Sequence, residues 1–401
     1  MQQANDVILS ILDTIKELDH LNDIDMILDR ILYEARRLAN ADAGSIFLAQ
    51  GDSLVFNQVQ NDSLYGKDGN RAIQYTNLSV PCTNASIVGH AALSAEIIAI
   101  DDAYNLPSHL PCTFNSSFDE EFSYRTVSIL AIPLHSFNNQ IVGVMQLINA
   151  QDEKKRPIPF SKQIQTYLQL FSNNAAVAIE RGTMNRELIL RMVKMSELHD
   201  PKETGAHVQR VGAYSAEIFR RWAQKYALDS QELKTRHDMI RQAAMLHDVG
   251  KVGIADIILK KPARLDSIEF TKIKQHTVLG ARLFANTTSN LDKMSMDIAL
   301  HHHEKWDGSG YPGIVDLDSD ESFSSVSQHL KGDNIPLEAR ITALADVYDA
   351  LSSARAYKEA WDDEDIYTEI LANSGKHFDP ELVDIFFEIT DVLKAIRNRY
   401  Q

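Results

Sequence analysis

At 401 residues the chain is long enough for two domains, each able to bury its own core. Forty Lys+Arg against 56 Asp+Glu leave a net charge of -16, which argues against a general affinity for nucleic acid or an anionic membrane; any anionic ligand must therefore meet a local basic pocket. The opening MQQANDVILS has no basic region, no apolar run approaches the roughly 18 residues of a membrane span, and the only cysteines are Cys82 and Cys112, so a cytoplasmic protein with ordinary thiols is expected.

In chain order, apolar positions at helical spacing (Ile8, Ile11, Leu12, Ile15, then Ile27, Ile31, Leu32, Ala35, Leu38), broken near Asn22-Asp23, predict two helices. Strand-like runs follow: GSIFLA from Gly44, SLVFNQV from Ser53, SILAIPL from Ser128 and IVGVMQLIN from Ile141, bounded by Gly, Asn and Asp. The helical period returns between Ser161 and Leu198. There Ile164, Leu168, Phe171, Ala175 and Ala178 form a heptad seam, and Leu188, Met192 and Met195 extend it, which predicts a helical stalk joining two subunits as a homodimer. Beyond Pro201 the pattern is helical, with loops concentrated around Gly308 to Asp333.

The pieces ADAGSIFL, ASIVGHAALSAEIIAIDDAY, YRTVSILAIPL and IVGVMQLINA, in that order, resemble a GAF domain over residues 20 to 180. The resemblance implies an antiparallel sheet flanked by helices, a sensory role and a small-molecule ligand. That ligand is not readable here, because FNSSFDEEF (Phe114 to Phe122) matches the cyclic-nucleotide-binding type only loosely. A GAF fold used for dimerisation alone is the competing reading.

The C-terminal half carries the chemistry. MLHDVGKVGI places His247 beside Asp248, with Lys251 one turn on if the segment is helical. KETGAHVQR sets Glu203 and His207 at i, i+4, the spacing that lets two side chains share one cation. IKQHTVLGA adds His276, HHHEKWDGSGYP adds His302 and His303, and ALADVYDALSSARAYK adds Asp346. Eight such donors are too many for one ion. Mixed imidazole and carboxylate ligation suits iron or manganese, with zinc and nickel as alternatives, and the lack of thiolates argues against a structural zinc finger.

HDVGK followed by HHEKWDGSGYP and ADVYDALSSARAYK is similar to the HD-GYP family of cyclic di-GMP phosphodiesterases over residues 195 to 395. The resemblance implies an all-α HD-superfamily domain. Carried over residue by residue, Glu203, His207, His247, Asp248, His276, His302, His303 and Asp346 would bind two or three divalent metals, with Asp248 bridging two of them. The branch able to hold three is suggested by Glu203. Catalytic roles fall to His247, Asp248 and Lys251. Lys251, Tyr311, Arg355 and Lys358 would meet the substrate, the cations supplying the basic pocket that the acidic chain requires. His301 falls outside the match. A metal pair of this kind activates water and neutralises charge at a phosphodiester phosphorus, which makes the expected reaction hydrolysis.

The expected organisation is a GAF-like domain at 1-160, a helical linker at 161-198 and the catalytic domain at 199-401. The expected reaction takes cyclic di-GMP to linear pGpG, with GMP left open as the end product, under GAF control, as part of bacterial second-messenger signalling. Cyclic GMP-AMP as substrate and a non-catalytic cyclic-dinucleotide sensor are the alternatives. Two departures from the family stand out: an acidic insertion at 314-330 and a long segment between His207 and His247. Asp316, Asp318 and Asp320 in the insertion invite a calcium reading, but Glu321 and Ser327 stand where an EF-hand needs Gly and Glu.

Overall fold

The computed structural model describes residues 2-65, 79-136, 138-197, 205-261, 263-287, 289-318, 328-353 and 361-400. Glu203, Arg355, Lys358 and the middle of the acidic insertion lie outside the described residues. The chain divides into two compact units, Met1–Asn185 and Arg186–Gln401.

The first unit opens with α1 (Gln2–His20) and α2 (Ile24–Ala39). The break predicted at Asn22-Asp23 is the start of α2, where the Asp23 carboxylate accepts hydrogen bonds from the backbone N–H groups of Asp25 and Met26. The strands are β1 (Ala41–Gln50), β2 (Ser53–Asn61), β3 (Ser79–Pro81), β4 (Ile98–Ile100), β5 (Ile129–His135), β6 (Ile141–Gln151) and β7 (Pro157–Ile158). Among them lie the short helices α3 (Asp62–Tyr65), α4 (Ile87–Ser94) and α5 (Ser117–Phe122). The strands pair antiparallel in the order β3-β2-β1-β6-β5-β4, with β7 on β6.

Alternation along the strands sends successive residues to opposite faces. Ile46, Leu130, Ile132 and Met145 meet α1, α2 and the long helix α6 (Lys162–Glu197), while Phe47, Ile129, Ala131 and Val144 meet Ile87, Val88 and Ala91 of α4. The first of these faces takes up the seam expected to join two subunits. Leu168, Phe171, Ala175 and Ala178 are buried in the unit's own core, and Ile164 packs against it. Periodicity marks an apolar face without saying what covers it, and here the sheet does. A different stripe of α6, at Leu170, Val177, Met184, Leu188, Met192 and Met195, is exposed.

The second unit is helical: α7 (Gly205–Lys225), α8 (Ser230–Ala243), α9 (Asp256–Leu259), α10 (Ser267–Lys274), α11 (His276–Leu283), α12 (Asn290–His301), α13 (Leu337–Ser352), α14 (Asp363–Ala372), α15 (Pro380–Glu388) and α16 (Thr390–Arg399). The long segment between His207 and His247 is accounted for by the α7-α8 pair. Tyr214, Phe219, Tyr348 and Phe386 fill the core, with Tyr348 edge-on to both Tyr214 and Phe386 at about 5 Å. Residues 244-253 form two tight 3-10 turns, Ala244–Leu246 and Val249–Gly253, in place of the α-helix expected there. No helix among the described residues is long and apolar enough to cross a membrane.

Candidate metal centre

The 3-10 turns follow from close packing. A side chain at Gly250 would put its Cβ 2.0 Å from the His276 carbonyl oxygen and 2.3 Å from the Gly280 nitrogen, so the backbone after Asp248 lies directly on the start of α11. That contact brings Asp248 and His276 together. The shorter turn also carries Lys251 over Asp248, with Nζ 2.7 Å from Oδ2.

Two groups of donor atoms result, each within 4.8 Å of one another: Asp248, His276, His302 and His303 in one, His207, His247 and Asp346 in the other. Asp248 belongs to both in geometry. Its Oδ1 faces His276 Nε2 at 3.1 Å and His302 Nε2 at 3.6 Å, while its Oδ2 lies 3.3 Å from His247 Nε2. Asp346 Oδ1 closes the second group, 3.6 Å from His207 Nε2 and 3.9 Å from His247 Nε2.

The other ring nitrogen fixes four of the five imidazoles. Nδ1 of His247 donates to the Ala244 carbonyl at 2.9 Å, that of His276 to Ile273 at 2.7 Å, and that of His302 to Ile298 and Ala299 at 3.0 and 3.1 Å. His207 Nδ1 donates instead to Asp349 Oδ2 at 2.8 Å. With the proton on Nδ1, Nε2 presents a lone pair to the centre. His276 Nε2, His302 Nε2 and Asp248 Oδ1 are buried and make no hydrogen bond among the described residues. Lone pairs converging on a carboxylate oxygen repel one another unless a cation lies between them, so this donor set fits a divalent metal.

Protonation states agree. Burial opposes ionisation of Asp248, but the Lys251 ammonium beside it outweighs burial and holds the carboxyl well below its usual range. Burial pushes His302 down, and burial together with the neighbouring imidazoles of His302 and His276 pushes His303 well down. An ionised carboxylate among neutral imidazoles is the form a metal binds.

Tyr311 stands over this group, its ring centroid 4.9 Å from that of His303. Its loop is drawn in by Glu304, whose buried carboxylate accepts the Gly313 N–H at 2.5 Å. Gly310 is crowded onto the same acid: a Cβ there would lie 2.5 Å from Glu304 Cα and 2.3 Å from the Lys305 nitrogen. His301 lies outside both donor groups, with Nδ1 3.8 Å from Glu304 Oε1. The edges of the acidic insertion are anchored, Ile314 N–H donating to the Gln328 carbonyl and the Leu317 carbonyl accepting from Arg282.

Sequence reasoning passed over three supporting residues. Asp349 lies one turn after Asp346 on α13, and Arg210 lies one turn after His207 on α7; the two form a buried, two-pronged ion pair at 2.6 and 2.9 Å. Glu304 sits inside a motif already singled out. Spacing to a named ligand, at i+3 in the first two cases, was the available signal.

A family described as "HD domain" matches residues 204-351, a second HD-domain family matches residues 324-382, and a GAF domain family matches residues 23-179. The 3'3'-cGAMP-specific phosphodiesterase 2 of Vibrio cholerae is 40% identical over 56% of this chain and 38% of its own length. A probable cyclic di-GMP phosphodiesterase of the same organism is 39% identical over 52% of this chain and 45% of its own length. The cyclic di-GMP phosphodiesterase of Thermotoga maritima is 37% identical, covering 52% of each. The chain thus spans about half the length, or less, of these relatives, and it is itself a GAF domain followed by a helical HD domain.

Proposed function

We propose that the chain is a metal-dependent phosphodiesterase of the HD-GYP type that hydrolyses cyclic di-GMP to linear pGpG. The observation that carries this reading is the Asp248 carboxylate, which turns one oxygen toward His276 and His302 and the other toward His247. A carboxylate so placed suits a shared ligand, and His207, His247, Asp248, His276, His302, His303 and Asp346 would hold two cations whose Lewis acidity would serve the phosphodiester and the attacking water. Iron or manganese suits the mixed imidazole and carboxylate donors, and Glu203 is assigned to a third metal.

The chain's own groups do the rest. The Lys251 ammonium, anchored on Asp248, is placed to meet a phosphate oxygen at the edge of the donor set, and Arg355 and Lys358, outside the described residues, are assigned to the substrate phosphates from their motif alone. Tyr311, with its phenol held protonated by burial and the nearby Asp248 charge, can donate to the substrate but not accept a proton from it. Hydrolysis adds water across one P–O bond, leaving a 5'-phosphate on one nucleotide and a free 3'-hydroxyl on the other.

A second substrate, cyclic GMP-AMP, is favoured by the name of the relative that is 40% identical. The GAF domain is assigned a regulatory role with a small-molecule ligand, and the exposed stripe of α6 is assigned to homodimer formation. The two free cysteines and the acidic charge suit the cytoplasm. The deciding test is product analysis by chromatography after anaerobic incubation with manganese or Fe(II) and each cyclic dinucleotide. The expected outcome is linear product from at least one, lost in Asp248→Ala. A loaded protein that binds cyclic di-GMP without releasing linear product would make it a sensor.

A further inference from the structure

Helix α10 has an unusual position for an element that buries none of its residues fully. It is held instead by its ends. Asp266 and Glu269 form a capping box, with Ile268 N–H and Glu269 N–H donating to the Asp266 carboxylate and Asp266 N–H donating back to Glu269, and Lys261 grips Glu269 at 2.6 Å. Its last turn is tied to the metal centre, since the Ile273 carbonyl is the acceptor for His276 Nδ1. A surface helix is thereby fixed to the site, with Ile273 packed against the small cluster of Ile254, Ile258 and Leu259.

On that helix Phe270 is 48% exposed and its neighbour Ile268 is 68% exposed. The Phe270 ring stands edge-on to Tyr311 with centroids 6.5 Å apart, and Tyr311 in turn lies on His303. Lys274 places its ammonium 4.7 Å from the Phe270 centroid and 5.0 Å from that of Tyr311. Two aromatic rings and a cation therefore form a step leading outward from a candidate metal ligand. The first ring is half-buried beside the centre and the second is open to solvent.

We propose that Phe270 and Lys274 form the platform for one purine of the substrate, Phe270 stacking on the base and Lys274 donating to its acceptor edge. This rests on the cyclic-dinucleotide reading above. A scissile phosphate bound at the metal centre leaves its base one ribose away, and the steps of 4.9 Å from His303 to Tyr311 and 6.5 Å from Tyr311 to Phe270 are of that scale. An open aromatic face stacks on any base, so Phe270 supplies affinity without selecting among purines. Selection falls to Lys274. Guanine offers two acceptors, O6 and N7, on the edge an ammonium can reach, whereas adenine replaces O6 by an N6 amino donor that an ammonium repels.

The test is steady-state kinetics of metal-loaded full-length protein on cyclic di-GMP and cyclic di-AMP, with metal content and melting temperature read alongside. Phe270→Leu should raise KM for cyclic di-GMP by about tenfold to a hundredfold with little change in kcat, and Phe270→Trp should restore it. Lys274→Gln, whose amide both donates and accepts, should narrow the preference for cyclic di-GMP over cyclic di-AMP by about tenfold. An unchanged KM in Phe270→Leu together with an unchanged preference in Lys274→Gln would overturn the platform. A fall in kcat with loss of metal in Phe270→Leu would also overturn it, assigning Phe270 to support of His276. If the wild-type protein hydrolyses no cyclic dinucleotide, the reading of function fails before the platform is reached.

Discussion

Asp349 Oδ2 accepts a hydrogen bond from His207 Nδ1 at 2.8 Å while Arg210 grips the same carboxylate through Nε and Nη2. The carboxyl stays ionised although burial opposes it, because the guanidinium and the imidazole both favour the charged form. Its work is to hold His207 in the tautomer that presents Nε2 to the centre. Asp349→Asn keeps the shape but can offer His207 the wrong group. Metal content and turnover should fall together, by about tenfold to a hundredfold at limiting metal, and added metal should restore part of the turnover. Elemental analysis across a metal titration checks this; full occupancy at wild-type affinity would assign Asp349 to packing alone. Asp349→Ala leaves the buried Arg210 without its main partner and should cost about 3-5 kcal/mol of stability by denaturant titration.

Asp248→Asn should be more severe than the loss of any one imidazole, since one carboxylate faces both donor groups. Turnover should fall at least about a thousandfold with loss of metal, judged by product formation and elemental analysis on the same preparation. A variant that keeps its metal and a tenth of its rate would exclude the shared-ligand role.

Gly310→Ala should destabilise the second unit by about 2-4 kcal/mol, because the added Cβ meets backbone atoms of Glu304 and Lys305 that have no room to move. The neighbouring turn should leave its place as well, moving Tyr311 away from His303. Calorimetry gives the first effect and KM for the cyclic dinucleotide the second.

His377, itself outside the ligand set, gives a separate pH signature. Burial, with the Lys305 charge second, pushes its pKa down from 6.5 to about 4, so the folded state favours neutral imidazole. A depressed folded pKa gives stability that is complete above 6.5 and lost as pH falls through 4, since the unfolded chain takes up the proton first. The loss approaches roughly 3 kcal/mol at its limit. His377→Gln should flatten the curve of urea midpoint against pH in this window relative to wild type, and two parallel curves would refute the assignment.

The two stripes of α6 make opposite predictions. Phe171→Ala, on the buried face, should cost about 3-5 kcal/mol of stability without changing the molecular mass in solution. Met184→Glu, on the exposed face, should leave the melting temperature of the first unit nearly unchanged and convert a dimer to a monomer by light scattering. A wild-type monomer at working concentration would remove the dimer proposal.

These outcomes divide between what the sequence made legible and what it did not. The histidines and aspartates of the centre were legible because each sits in a short motif of unusual composition, and the structure brings seven of the proposed ligands into two groups. Their support was not legible. Asp349 and Arg210 are ordinary charges in sequence, and only folding places them 139 residues apart yet in contact. The first two helices declared themselves by period and the longer strands as β-branched and aromatic runs between turn residues, while β3 and β4, at three residues each, are too short to stand out. The seam on α6 was visible as an apolar face, but period cannot distinguish a sheet from a second subunit. At residues 244-253 local spacing suggested an α-helix, and the contact of Gly250 with α11 imposed a tighter turn.

The remaining donor of Arg210, Nη1, reaches the Tyr400 carbonyl at 2.6 Å, 190 residues further along the chain. One guanidinium therefore ties α7 and α13 to the end of α16. On a ribosome that adds about 5-20 residues per second, roughly 10-40 s separate the synthesis of Arg210 from that of Tyr400. Throughout that interval His207 lacks its finished support. The order of synthesis thus leaves the brace behind His207 unfinished until Tyr400 has been made and has docked.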